Sequence, residues 1–147
     1  MSGRGVQDSK RSWGSLMDQK LSVNINGKEC QALPKQTILE VCKREGIDIP
    51  TLCHLDGLSE VGACRLCLVE MEGTPKLFPA CTTPVENNQK IKTHTDKLKN
   101  YRRMTVELFF AERNHICSVC IANNNCELQD MGTKVGMEHV RFPYLFQ

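Results

Sequence analysis

The sequence predicts an α+β fold, a small sheet crossed by one helix and followed by a helical segment. Three observations carry this. Leu21, Val23 and Ile25 alternate with polar residues and run into Asn26-Gly27, the strongest short hairpin signal, of type I′. Thr37 and Glu40 match a capping box, and Gly46 stands where a helix would end. Leu98, Tyr101, Thr105, Leu108 and Phe109 recur at three- and four-residue steps, as one helix face requires.

The elements follow in order. Residues 1–19 read as a flexible polar extension, with Trp13 as a candidate docking anchor. Arg4, Lys10 and Arg11 would suit a transit peptide, but Asp8 and Asp18 and the lack of an amphipathic stripe weigh against one. The hairpin spans LSVNINGKECQAL, and Pro34 breaks its second strand. A helix from Thr37 to about Glu45 turns Ile38, Leu39, Val41 and Cys42 toward the hairpin. A cysteine-bearing loop runs from Pro50 to Cys67. Leu66–Met71 reads as a strand, EGTP as a turn, Lys76–Phe78 as its antiparallel partner and Gln89–Thr93 as a last strand. Hairpin, crossing helix, loop and return strands make a β-grasp-like arrangement over residues 20–94. Residues 95–147 hold the long helix, capped by Thr95 or Asp96, a short helix from Cys126 to about Val135 and an aromatic tail. Lys97, Lys99, Arg102 and Arg103 crowd the first half of the long helix, as a solvated face or a basic docking patch.

Composition narrows the function. The chain has 147 residues, 5% aromatic and 24% charged, so its core is modest and bound metal would contribute to folding. A net charge of +2 argues against nucleic-acid binding through bulk charge. The longest apolar-rich run, Val106–Ala111, contains Glu107 and is too short to span a bilayer, so no membrane insertion is expected. Nine cysteines without a visible signal peptide favour metal ligation in a reducing, cytoplasmic setting over a disulfide scaffold.

Cys53, Cys64, Cys67 and Cys81 are spaced C-x10-C-x2-C-x13-C. Four thiolates in one loop region suit a [2Fe–2S] cluster. A zinc site usually shows two C-x2-C knuckles, and here there is one such pair flanked by single cysteines. Gly62 and Ala63 are small enough to let backbone N–H groups approach the sulfurs, and Arg65 places a cation beside them. Further on, Cys117, Cys120 and Cys126 follow C-x2-C-x5-C with His115 just ahead. Three thiolates are one ligand short of a [4Fe–4S] cube, and His115 is the nearest fourth candidate. A Cys3His zinc site remains the alternative at this second group. Cys30 and Cys42 fit packing positions, and His54 fits either a supporting donor beside Cys53 or a surface residue. His94 and His139 lack ligand-spaced partners, and no glycine-rich phosphate loop marks a site for NAD or flavin.

PTLCHLDG, ACRLCLVE and LFPACTTPV resemble the N-terminal ferredoxin-like region of one family. Its members include diaphorase gamma subunits of NAD-linked bidirectional [NiFe] hydrogenases, the G subunit of respiratory NADH–quinone oxidoreductase and the accessory domain of [FeFe] hydrogenases. The resemblance runs from about Leu21 to Pro143. It implies a [2Fe–2S] cluster on Cys53, Cys64, Cys67 and Cys81. YRRMTVELFFAERNH and CELQD resemble the family's Cys3His segment, which implies a [4Fe–4S] cluster on His115, Cys117, Cys120 and Cys126. Respiratory members usually place the histidine four residues before the first cysteine; Arg113 stands there, and the Asn-His-x-Cys form matches the hydrogenase branch. The implied function is an electron-transfer subunit between a flavoprotein NADH-oxidising subunit and a hydrogenase or quinone-linked module, without turnover of its own. The N-terminal part of a respiratory G subunit, a free ferredoxin and a zinc-stapled interaction module are the competing classes. Family members usually continue into a module with two more [4Fe–4S] clusters, and no C-x2-C-x2-C-x3-C run occurs here.

Overall fold

Five short strands form one mixed sheet in the order β2-β1-β5-β3-β4. The structure is a computed structural model and describes residues 20–58, 60–113 and 115–143. The N-terminal extension with Trp13, Asn114 at the expected helix end and the tail residues 144–147 lie outside the described residues.

Strands β1 (Leu21–Ile25) and β2 (Lys28–Ala32) form the hairpin, paired antiparallel from Leu21–Ala32 to Ile25–Lys28. Asn26 and Gly27 have φ of 55° and 89°, as a type I′ turn demands of both central residues. The helix α1 (Ile38–Arg44) starts at Thr37, whose side chain accepts from the Glu40 N–H while Glu40 reaches back to the Thr37 N–H. Gly46 follows at φ 71°. Strands β3 (Leu68–Met71) and β4 (Leu77–Pro79) pair antiparallel, and β5 (Lys90–Lys92) lies between β3 and β1, parallel to β1. Strands β3 and β5 are each two residues shorter than the sequence suggests.

Alternation along β1 buries Val23 and Ile25, and the same face receives Ile38, Leu39, Val41 and Cys42 from α1. Cys30 and Cys42 are buried in this core as packing residues. Burial pushes the Cys42 thiol up to about 12 and raises that of Cys30, so both stay protonated.

The long helix α2 (Asp96–Glu112) is capped by Thr95, whose side chain accepts from the Leu98 N–H. Its buried face is rotated from the expected one. Tyr101 and Leu108 are exposed, and the inward line is Leu98, Arg102, Val106 and Phe110, at steps of four. The periodicity passes over Arg102 because an arginine does not read as apolar. Arg102 is nonetheless 4% exposed, and donates from Nε to the Leu66 carbonyl (3.0 Å) and from Nη2 to the Leu68 carbonyl (2.9 Å). The expected basic patch is correspondingly thinner. Lys97 pairs with Glu70, Lys99 with Asp96, and Arg103 faces Glu107. The last helix, α3 (Glu127–Lys134), packs on α2 through Met131, which is buried with Phe110. Glu107 is 2% exposed and accepts from Arg141 at 2.7 Å, which ties the C-terminal segment to α2. Among the described residues, no helix is long and apolar enough to cross a membrane.

Candidate functional site

The first cysteine group sits where three loops meet beside the sheet. Backbone hydrogen bonds set the approach of Cys67 to Cys81. The Ala80 N–H donates to the Cys67 carbonyl at 3.0 Å, and the thiols of Cys67 and Cys81 stand 3.4 Å apart. The first turn of α1 holds the Cys81 loop from the other side. Its free N–H groups on Ile38 and Leu39 donate to the carbonyls of Thr83 and Ala80. Glycine is required at position 62. Its φ is +63°, and a Cβ there would lie 3.0 Å from the Thr82 side chain, the neighbour of Cys81. This close approach presses the Cys64 loop against the Cys81 loop. Arg65 turns the chain between Cys64 and Cys67 with φ 58° and is exposed to solvent.

The four thiols fall into two pairs. Cys53 meets Cys64, whose N–H donates to the Cys53 sulfur at 3.4 Å, and Cys67 meets Cys81. Cys64, Cys67 and Cys81 are buried, at 7%, 1% and 1% exposure. Burial works against a thiolate at Cys53, but N–H donors from Cys64 and Ala63 outweigh it and hold this thiol below the usual range. Burial raises Cys64. Cys81 is pushed up to about 12 by burial, by its contact with Cys67 and by the charges of Cys67, Cys53 and Cys64. Four thiols this close can ionise together only around cations. Two pairs match two irons with two thiolates each. Among the described residues, no three Cys, His, Asp or Glu side chains converge as a single metal ion needs.

His54 is buried at its side chain, 8% exposed, with Nε2 3.1 Å from Asp56, which Lys43 also holds. Its Nδ1 is buried without a partner. His54 is therefore an inward side chain beside Cys53 and not a surface residue. Sequence reasoning placed Arg102 only in a surface patch and missed it as part of this site, since it lies 35 positions beyond Cys67. Burial holds its guanidinium below the usual arginine range, while Cys67 and then Asp48 act the other way.

The second group forms after α2. Cys117–Val119 is a single 3₁₀ turn, Cys120 leads into a run of turns, and Cys126 caps the start of α3. His115, Cys117, Cys120 and Cys126 line one cavity of about 150 Å³ with Phe110, Asn123 and Gln129. The His115 ring meets Phe110 edge-on, with centroids 5.3 Å apart. Cys120 is exposed, and Cys117 and Cys126 are half-buried. The structure thus brings all four sequence-chosen residues to one concavity, with soft sulfur donors and one imidazole lining it. Leu66, Val106, Phe110 and Met131 form a buried core against which Cys53 and Cys64 pack from one group and Cys117 from the other.

Two family models match the chain. The model for a 2Fe-2S iron-sulfur cluster binding domain matches residues 18–96, more than half of the chain. A second model, for the NADH-ubiquinone oxidoreductase-G iron-sulfur binding region, matches residues 102–141. The chain belongs to the 2Fe-2S iron–sulfur cluster binding domain family. It carries one [2Fe–2S] and one [4Fe–4S] cluster. It is 38% identical over 122 residues to the NADP-reducing hydrogenase subunit HndD of Solidesulfovibrio fructosivorans, covering 80% of this chain and 21% of that one. It is 35% identical over 126 residues to the NAD-reducing hydrogenase HoxS subunit gamma of Cupriavidus necator, covering 86% of this chain and 53% of that one. The NADH-ubiquinone oxidoreductase 75 kDa subunit of Reclinomonas americana is 35% identical over 122 residues, 83% of this chain and 18% of that one. The crystal structure of an NAD+-reducing [NiFe]-hydrogenase in the H2-reduced state superposes with a TM-score of 0.80 at 29% identity, over 86% of this chain and 53% of that one. The chain thus spans about half, or less, of the length of these relatives.

Proposed function

We propose that this chain relays electrons between a flavoprotein that oxidises NADH and a hydrogenase module, with a respiratory quinone-linked module as the second reading. The observation that carries this is the shared core of Leu66, Val106, Phe110 and Met131, against which cysteines of both groups pack. In this reading residues 20–94 are a β-grasp domain whose Cys53, Cys64, Cys67 and Cys81 hold the [2Fe–2S] cluster. Residues 95–147 are the segment whose His115, Cys117, Cys120 and Cys126 hold the [4Fe–4S] cluster. Bound there, the clusters supply one-electron acceptors.

The chain's own residues do the rest. The pairing of Cys53 with Cys64 and Cys67 with Cys81 supports two thiolates per iron, and the Cys64 and Ala63 N–H groups bias Cys53 toward thiolate before any metal arrives. Phe110 packs edge-on against the His115 ring, which is otherwise exposed. Leu55, Leu58 and Val61 stand exposed near the first group, and Ile116, Val119 and Ile121 near the second. Apolar side chains held in water beside each group fit contact with partner subunits, one at each end of the relay. The setting is cytoplasmic.

Anaerobic mixing with NADH tests the function. The chain alone should stay oxidised and EPR-silent, and addition of a flavoprotein NADH-oxidising subunit should reduce both clusters and bring up both EPR signals. Reduction by NADH without the flavoprotein, or no reduction with it, would contradict the relay.

A further inference from the structure

Among the described residues, the buried arginine of α2 has no acid to answer it. Arg102 is 4% exposed, and none of the ion pairs among the described residues includes it. A buried guanidinium without a counter-charge is costly, so such groups are paired in native proteins. Its two observed hydrogen bonds go to neutral carbonyls, Leu66 at 3.0 Å and Leu68 at 2.9 Å. Those carbonyls bracket Cys67. Asp48, the acid that shares a cavity with Arg102, is taken by Lys134 at 2.6 Å. The unmatched anion at this place is the thiolate site itself.

We propose that Arg102 is the built-in counter-charge of the [2Fe–2S] site and raises its reduction potential. The inference rests on the assignment of Cys53, Cys64, Cys67 and Cys81 as ligands. Four thiolates around two ferric ions and two sulfides carry a net charge of about −2, and one added electron makes it about −3. The electron comes from the external reductant, and Arg102 keeps its proton throughout. A fixed positive charge stabilises the more negative state, and burial keeps water from screening it. Arg65 also lies beside the cysteines but is exposed to solvent, where salt screens its charge. The dominant cation therefore comes from the helix that leads to the second cluster, which links the potential of one site to the seating of the other module. Arg102 is a positioning residue as well, because its fork holds both carbonyls of the ligand loop.

The test is an EPR-monitored redox titration of the full chain, with dithionite and ferricyanide, for wild type, Arg102→Met and Arg102→Lys. The Met variant should need at least a tenfold greater driving ratio to reduce the two-iron centre, a midpoint lower by about 59 mV or more for a one-electron couple. The four-iron midpoint should stay in place. The Lys variant, which keeps the charge and loses the fork, should recover at least half of the shift. Equal midpoints in all three proteins, or equal shifts in Met and Lys, would overturn the proposal. If Met fails to load the two-iron centre, Lys decides: loading near the wild-type midpoint supports the charge, and failure overturns it in favour of a purely geometric clamp. The wild-type signal is the control. Its survival in a Cys67→Ser variant with unchanged shape would sink the ligand assignment instead.

Discussion

The two cysteine groups rest on opposite kinds of support. Cys64, Cys67 and Cys81 are at most 7% exposed and are braced by the sheet, by α1 and by Arg102. Cys117, Cys120 and Cys126 are half-buried or exposed and lie on turns around one cavity. The first site is held by the buried sheet core and by hydrogen bonds between its loops. The second borrows its order from α2, α3 and whatever its ligands hold. A short chain with few aromatics can stabilise one core well, and it leaves the other module to be completed by its cluster.

Iron removal should separate the two most sharply. After anaerobic chelation, amide exchange in α3 and residues 115–126 should lose nearly all protection, while β1, β5 and α1 keep theirs. Equal loss in both regions would erase the contrast. Next in size is Phe110→Ala, which opens the core shared by both groups. It should cost about 3–5 kcal/mol in chemical denaturation and broaden both EPR signals; a change confined to one signal would mean that the modules are not joined there. His115→Ala should alter the four-iron spectrum and leave the two-iron one unchanged, and an unaltered four-iron spectrum would strike His115 from the ligands. The smallest effect is expected at Thr37→Ala. Loss of the capping box should cost about 1 kcal/mol and lower the denaturation midpoint of the sheet module without moving either cluster signal.

The local elements were largely legible. Asn26-Gly27, the Thr37–Glu40 box and the Thr95 cap each depend on neighbours within a few residues, and each appears as its residues suggest. Cysteine spacing sufficed to choose which residues meet, because loop length limits what four thiols can reach. What spacing does not carry is the pairing of Cys53 with Cys64 and of Cys67 with Cys81, which follows from Gly62 packing on Thr82 and from the Ala80–Cys67 hydrogen bond. The face of α2 was misread for a related reason. Tyr101 and Leu108 look apolar and Arg102 does not, yet the ligand loop presents two carbonyls that only a long-range donor satisfies. His54 likewise turns inward, with its environment supplied by Asp56 and Lys43.

The most direct measurement is iron, acid-labile sulfide and zinc content of anaerobically purified protein, taken with EPR of the reduced form. About six irons and about six sulfides per chain, with one two-iron and one four-iron signal, are expected from the two domain matches. Stoichiometric zinc with no acid-labile sulfide, even after reconstitution, would contradict an electron relay.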